Sequence, residues 1–339
     1  MAAGNDRATT LSEVARVAGV SLATASKAIN GRADVAERTR RRILEVAEEL
    51  NFTPNPMARG LLTNRTSTVG ILTSDLEGRF VLPILMGAED AFGAGKVSVF
   101  LCDARGDAIR EQHHLKALLS RRVDGIIVVG RQTDPRPSIG RDFPIPVVYA
   151  YAPSVNPADT SLTPDNEAGG RIVVEHLLAC GRSRIAHITG DRSYAAARDR
   201  VVGIEDALSE AGLGLVGPSM YSEWTERWGR NATAVLLQQH PDVDAVICGS
   251  DQIARGVIDT LRDAGRTVPD DVAVISFDNW QVLATNARPE LTTVDFNLEN
   301  LGKTAARYLL TAMGERKLEP GVHQLPVSLV IRGSTIPQR

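Results

Sequence analysis

Apolar positions along the chain follow two rhythms. Up to about residue 50 they recur every three or four residues in short stretches. From Val69 onward, short β-rich runs alternate with longer stretches of helical period. Near the start, Thr10-Leu-Ser-Glu13 has the form of a capping box, in which a hydroxyl and a carboxylate satisfy free backbone donors at a helix start. Leu11, Val14, Ala15 and Val17 then form one apolar face, and Gly19 supplies a left-handed turn that stops the helix. Ser21 is placed to cap a second helix to about Asn30, where Asn30-Gly31 signals a turn. Glu37 to Leu50 carries Ile43, Ala47 and Leu50 at the spacing of a third helix.

Two prolines in Asn51-Phe-Thr-Pro-Asn-Pro56 interrupt regular structure, and Met57 to Ser67 continues as a linker with about one helical turn. Beyond it, strands are predicted at Val69–Thr73, Val97–Leu101, Ile126–Val129, Pro146–Tyr149, Ile185–Thr189, Ala245–Cys248 and Val272–Phe277. Helices are predicted at Leu82–Phe92, Ile109–Ser120, Ala168–Ala179, Val201–Ala211, Ala232–Gln239 and Ile253–Ala264. This alternation predicts an α/β fold with parallel sheets covered by helices on both faces, arranged as two lobes.

Length and composition narrow the class. A chain of 339 residues exceeds the ~250 to 300 at which single cores stop growing, so more than one domain is expected. The longest apolar runs, such as Gly125-Ile-Ile-Val-Val-Gly130, fall far short of the ~18 to 20 residues that span a bilayer. The polar Met1 to Thr10 segment lacks the features of a signal peptide. Cys102, Cys180 and Cys248 are odd in number and widely spaced, which fits reduced core thiols. Together these predict a cytoplasmic protein. Net charge is -3, yet residues 1–65 hold ten Lys or Arg against seven acids. A polyanion-binding surface therefore belongs at the N-terminus.

The segment Leu11 to Asn30 has the chemistry of a helix-turn-helix. Ala15 permits a close helix crossing, Gly19 turns the chain, Val20 anchors the turn, and the second helix presents short polar side chains that can approach base edges. Thr10, Ser21, Thr24, Ser26 and the basic residues are candidate phosphate contacts. The competing reading is a three-helix cap without a ligand. Catalytic signatures find little support. Gly93-Ala-Gly-Lys96 has Asp90 where a phosphate loop needs its first glycine and Val97 where it needs Ser or Thr. His113-His114 reads as a solvated pair within a charged helix, and no nucleophile elbow or dinucleotide fingerprint occurs. No catalytic residue, metal or cofactor is expected.

Val14-Ala, Ala18-Gly-Val-Ser21, Ala23-Thr24, Ser26-Lys27, Ile29-Asn30, Arg38-Thr-Arg40, Pro54-Asn55 and Ala58-Arg59 resemble the lactose-repressor (LacI/GalR) family of bacterial transcription regulators. Further landmarks are Val123-Asp-Gly-Ile-Ile-Val128, Glu175-His-Leu-Leu178, Val268-Pro-Asp-Asp-Val272, Ser276-Phe-Asp278, Leu291-Thr-Thr293 and Val330-Ile-Arg-Gly-Ser334. The resemblance implies a tail (1–9), a helix-turn-helix head (10–53), a hinge (54–67) and a two-lobed periplasmic-binding-protein-like core (68–339). It gives the first lobe about 68–164 plus 295–335 and the second about 165–294.

It further implies a homodimer on a pseudo-palindromic operator, with Leu22, Ala23 and Lys27 at base-reading positions and Asn30 closing the helix. Asn55, Arg59 and Leu61 fall in the hinge, Leu61 as the wedge into a minor-groove base step, at a cost of a few kcal/mol of unstacking. Phe80, Tyr151, Arg200, Trp224, Asp251 and Asp278, with Trp280 as a further wall, are implied around a small effector. Carboxylates and a guanidinium suit the hydroxyls of a sugar-like molecule, and aromatic faces its C–H surface. Departures from the family pattern stand at Glu77-Gly-Arg-Phe80, Tyr151 and Gly249-Ser250. The alternatives are a regulator with a purine-like effector, or a solute-binding protein. No leucine-heptad tail follows Arg332, which favours a dimer over a tetramer.

Overall fold

The capping box forms as its residues dictate: Thr10 N donates to Glu13 Oε2 (2.7 Å) and Glu13 N to Thr10 Oγ1 (3.4 Å), starting helix α1 (Leu11–Ala18). Gly19, at φ 70, ends it in the left-handed conformation that a Cβ disfavours. Thr24 N donates to Ser21 Oγ (3.1 Å) at the start of α2 (Leu22–Ile29), and α3 (Glu37–Glu49) closes the bundle. Buried Val14, Ala15, Ala18, Ala25, Ala28, Ile43, Val46 and Ala47 make its core, with alanines letting the backbones approach. This computed structural model describes residues 9–29, 31, 34–52, 65–93, 97–140, 143–314 and 316–336, and the chain divides into two units, 1–67 and 68–339. Asn30, Asn55, Arg59 and Leu61 lie outside the described residues, as does most of the expected hinge.

The second unit holds two six-stranded sheets. The first has β1 (Thr68–Thr73), β2 (Ser98–Asp103), β3 (Gly125–Val129), β4 (Val147–Ala150), β5 (Thr160–Pro164) and, from near the C-terminus, β11 (Gly321–Leu325), in the order β11-β5-β4-β3-β1-β2. All its pairings are parallel. Helices α4 (Val81–Phe92) and α5 (Ala108–Ser120) belong to this lobe, and α11 (Leu298–Met313) packs against α4.

The second sheet has β6 (Ile185–Thr189), β7 (Met220–Tyr221), β8 (Ala245–Cys248), β9 (Ala273–Phe277), β10 (Thr292–Asp295) and β12 (Ser328–Val330), ordered β12-β10-β9-β8-β6-β7. Only β12 runs antiparallel among its named pairings. Its helices are α6 (Asn166–Ala179), α7 (Ala195–Glu210), α8 (Glu226–Gln239), α9 (Asp251–Asp263) and the short α10 (Gln281–Ala284). Helix pairs α4/α11, α6/α7 and α8/α9 each cross at reciprocal glycines, Gly87 with Gly302, Gly170 with Gly203 and Gly229 with Gly256, where a Cβ on either partner would strike the other helix's backbone.

One expected boundary is corrected. The segment 295–335 does not all belong to the first lobe: β12 pairs with β10, and Ser334 Oγ donates to Val274 O (2.6 Å) in the second sheet. The chain thus crosses between lobes three times, after β5, β10 and β11. Asp165 N, on the first crossing, donates to Leu325 O on the third (3.0 Å). The C-terminal run Val330-Ile-Arg-Gly-Ser334 has only two apolar residues before Arg332 and Gly333 interrupt it, so periodicity alone could not assign its sheet.

Candidate functional site

In the head, burial of Ala25 and Ala28 turns the opposite face of α2 outward, leaving Leu22, Ala23 and Lys27 exposed, Leu22 by 52%. Thr10 and Ser21 are also exposed, and Thr24 and Ser26 are half-buried. The base-reading and phosphate candidates on described residues therefore share one short helix and its cap. Ser21 Oγ and Thr24 Oγ1 lie 2.8 Å apart, so these hydroxyls serve the cap as well. A partner unforeseen from the sequence is Asp34, whose carboxylate pairs with Lys27 Nζ at 2.5 Å. Both side chains are about half exposed, so the pair adds little stability and can be exchanged for a stronger acceptor.

In the second unit, the effector candidates cluster at the carboxyl ends of parallel strands, where open α/β sheets bind ligands. The loop after β1 delivers Arg79 and Phe80, and β4 runs into Tyr151. From the other lobe, β8 runs into Gly249, Ser250 and Asp251, and β9 into Asp278 and Trp280, while α7 carries Arg200. Phe80 stacks on Tyr151 with ring centroids 5.3 Å apart. Tyr151 (φ 73) and Asp278 (φ 105) both adopt a left-handed backbone that costs a non-glycine residue energy and tends to mark functional loops.

Arg200 and Asp278 are buried at the floor of this arrangement. Arg200 Nε donates to Asn166 Oδ1 (2.9 Å) and Nη1 to Gly249 O (2.6 Å), while Nη2 lies 3.9 Å from Asp278 Oδ1. The Arg200 guanidinium lies 4.6 Å from the Phe277 ring and 4.8 Å from Phe296. Burial pushes the Asp278 carboxyl above the usual carboxylate range, against the pull of Arg79 and Arg200. Burial, and next the Asp278 charge, likewise raises the Tyr151 phenol.

Asp251 differs from the expectation that it faces a ligand. Its Oδ1 accepts from Ser276 Oγ (2.6 Å) and Thr293 Oγ1 (2.8 Å), and its Oδ2 from Trp280 N (2.6 Å). It is fully buried, and burial followed by the Asp278 charge pushes its pKa up to about 7. It ties β9, β10 and the Trp280 loop together. Trp224 packs across Gly190, where a Cβ would run into the indole, and sits edge-on to Tyr194 at 5.8 Å. Its Nε1 is buried without a hydrogen-bond partner among the described residues, as are Thr189 Oγ1, Arg79 Nε and, in the loop after β3, Gln132 Oε1, Thr133 Oγ1 and Asp134 Oδ2. Trp228, by contrast, anchors the lobe by donating Nε1 to Thr189 O (2.8 Å).

Two participants escaped sequence reasoning. Arg79 of the first lobe pairs with Asp278 of the second through a short Nη2–Oδ2 contact, and its Nη1 donates to Gln252 Oε1 (3.2 Å). Its guanidinium lies 4.6 Å from the Phe80 ring and 4.8 Å from that of Trp280. Asp134 of the first lobe accepts from Ala195 N (3.0 Å), capping α7 of the second. Arg79 stood beside a nominated residue, but neither its cross-lobe partner nor Asp134's has a local sequence signal.

Residues 10–55 match the family described as bacterial regulatory proteins, lacI family, and residues 174–335 match a periplasmic binding protein-like domain. The chain is 33% identical over 329 residues to catabolite control protein A of Priestia megaterium, covering 96% of this chain and 99% of that protein. It belongs to the lacI family of bacterial regulatory proteins. Among solved structures, the lac repressor dimer bound to operator and the anti-inducer ONPF matches this lacI-family chain with a TM-score of 0.73 and 27% identity, over 97% of this chain and 99% of that one. A complex of the transcriptional regulator CelR with cellobiose matches with a TM-score of 0.63 and 30% identity, over 96% and 99%. The chain is thus a DNA-binding transcription regulator with a ligand-binding domain, and its relatives are regulators. Among the described residues, no helix is long and apolar enough to cross a membrane.

Proposed function

We propose that this lacI-family member is a repressor of carbohydrate-metabolism genes that binds a pseudo-palindromic operator as a dimer and is released or engaged by a small sugar-like effector. The observation that carries the effector reading is the convergence of the Phe80–Tyr151 stack with the Arg200–Asp278 pair at the strand ends of both lobes. Aromatic faces cover the C–H side of a sugar ring, and a charged pair grips its hydroxyls. Trp224 and Trp280 complete the walls, while Asp251 braces Trp280 through its backbone N–H. The cellobiose complex of the CelR relative supports the same class of ligand.

On the DNA side, Lys27 and the Leu22–Ala23 pair read bases, Leu22 and Ala23 by apolar contact with thymine methyls. Thr10, Ser21, Thr24 and Ser26 hold phosphates. Asn30 ends the reading helix, and Asn55, Arg59 and Leu61 extend this interface through the hinge. Effector and operator are thermodynamically coupled, so each changes the other's affinity by the same factor.

The test is a selected operator and a thermal-shift screen of the full-length protein against sugars, polyols and nucleobases. Lys27→Ala should weaken specific operator binding by about 1 to 3 kcal/mol, the worth of one good base contact, and leave any effector-induced stabilisation unchanged. Unaltered operator affinity would remove Lys27 from base readout, and stabilisation by nucleobases alone would replace the sugar reading with a purine one.

A further inference from the structure

Two guanidiniums from opposite walls of the cleft turn to one carboxylate. Asp278 gives Oδ2 to Arg79 and leaves Oδ1 3.9 Å from Arg200. Neither arginine has another carboxylate within ion-pairing distance among the described residues. The other buried acid at the strand ends, Asp251, is committed to Ser276, Thr293 and Trp280 N. Asp134 is held by Ala195 N and lies 3.7 Å from Arg198. At the floor of the cleft two cations therefore share one carboxylate as their ion-pair partner.

Arg79 is also fixed in place. Its guanidinium lies against Phe80 from its own lobe and Trp280 from the other, Gln252 takes Nη1, and Nε is buried with no hydrogen-bond partner among the described residues. Its side chain is only 20% exposed. A neutral polyol that took Asp278 for itself would strip this enclosed cation of its counter-charge, and breaking a buried pair in that way is strongly unfavourable. An effector that brings its own anion avoids the penalty. It takes Arg79 over from Asp278, which then serves Arg200 alone, and each guanidinium has one anion.

We propose that Arg79 is a specificity-determining residue that selects, within the sugar-like class, effectors bearing one anionic group, a carboxylate or a phosphate. The proposal rests on the cleft reading above and names the ligand chemistry more narrowly. The planar fork of arginine suits either group, since it donates two parallel hydrogen bonds to carboxylate or phosphate oxygens. Asp278 occupies the place such an anion would take and links the two lobes through Arg79.

The experiment titrates the full-length protein with glucose, gluconate, glucose 6-phosphate and inorganic phosphate at matched ionic strength. It is followed by calorimetry and by tryptophan fluorescence, since Trp280 lies on the Arg79 guanidinium. Gluconate or glucose 6-phosphate should bind more tightly than glucose, and which one does so separates carboxylate from phosphate. Arg79→Gln should weaken the anionic sugar about tenfold or more, as for loss of a hydrogen bond to a charged group, and Arg79→Lys should recover part of it. Asp278→Asn, which removes the internal competitor, should strengthen phosphate binding. Glucose binding as tightly as the anionic sugars and unaffected by Arg79→Gln would overturn the anion requirement and leave the sugar reading standing. Phosphate binding that depends on Arg79, with neither anionic sugar binding better than phosphate itself, would keep the anion site and overturn the sugar reading. No perturbation by any of the four probes would overturn the proposal.

Discussion

The two lobes of the effector domain share one strand order, yet they contribute opposite kinds of surface. In the second lobe Asp251 and Asp278, which follow β8 and β9, and Arg200 on α7 are enclosed, and Asp251 and Arg200 are multiply bonded. In the first lobe β2 is an edge strand with Phe100 and Leu101 exposed, and α4 exposes Leu82 and Met86. This lobe brings to the cleft two aromatic rings and the cation Arg79, whose polar partners lie in the other lobe. The same topology thus supplies an enclosed charged floor on one side and, on the other, an aromatic wall whose cation is held by partners across the cleft. Preorganised charges cost least when the surrounding fold holds them, and contact surfaces must remain free to meet a partner.

The sharpest way to break this comparison is Arg200→Ala. The substitution leaves Asn166 Oδ1 and Gly249 O without their donor and Asp278 without one of its two cations, all in buried surroundings. Removing one partner of a buried charged network costs about 3 to 5 kcal/mol. Urea unfolding of the effector-free protein should show a loss of that order. A loss below about 1 kcal/mol, the range of an exposed pair, would mean that the floor is not a structural element and that both walls are equally free.

The relation between these walls was only partly legible in the sequence. The head could be read almost residue by residue, because capping, the Gly19 turn and the Ala25–Ala28 face are local events decided within a few positions. The central strands emerged from their apolar runs. Strand β5 (Thr160–Pro164) did not, since Thr-Ser-Leu-Thr-Pro carries little apolar pattern although all five residues are buried. Strands β10 to β12 and helix α11 were likewise missed, and with them the third crossing between lobes, after β11. The cleft was legible as a list of residues through family resemblance, but their division of labour was not. That Asp251 faces inward and Arg79 reaches across depends on which strands lie side by side, a long-range fact without a local signature.

The first-lobe counterpart to Arg200→Ala is Phe80→Ala. Phe80 is half-buried, and its specific contacts are the Tyr151 stack and the Arg79 guanidinium. An aromatic pair of this kind contributes about 0.5 to 1.5 kcal/mol beyond its area, and the half-buried ring also packs on the first-lobe core, so the stability loss should be about 2 kcal/mol by the same urea assay, below the ~3 to 5 kcal/mol of a fully buried phenylalanine. Effector-induced release or engagement of operator should nevertheless fall steeply. A variant that lost several kcal/mol while keeping its effector response would reverse the roles assigned to the two lobes.

Asp251→Asn sharpens the comparison with the smallest effect, because it probes the floor through its protonation alone. With its pKa raised to about 7, the Asp251 carboxyl of the folded protein keeps its proton over a range in which the unfolded chain has already lost it. The folded state then binds more protons than the unfolded state between the ordinary carboxylate range and about 7. Stability attributable to this group is therefore fully present below that ordinary range and drains away as pH rises toward 7. Asparagine preserves the shape and accepts hydrogen bonds through its oxygen, but does not titrate. The stability difference between wild type and Asp251→Asn, measured by urea unfolding at several pH values, should favour wild type increasingly as pH falls from 8 to 5. A difference that stays constant over this range would mean that the three donors on Asp251 keep it ionised, and that the floor carries one more negative charge than its burial suggests. That extra charge would also weaken the case for an anionic effector, so the smallest of these effects bears directly on the chemistry of the ligand.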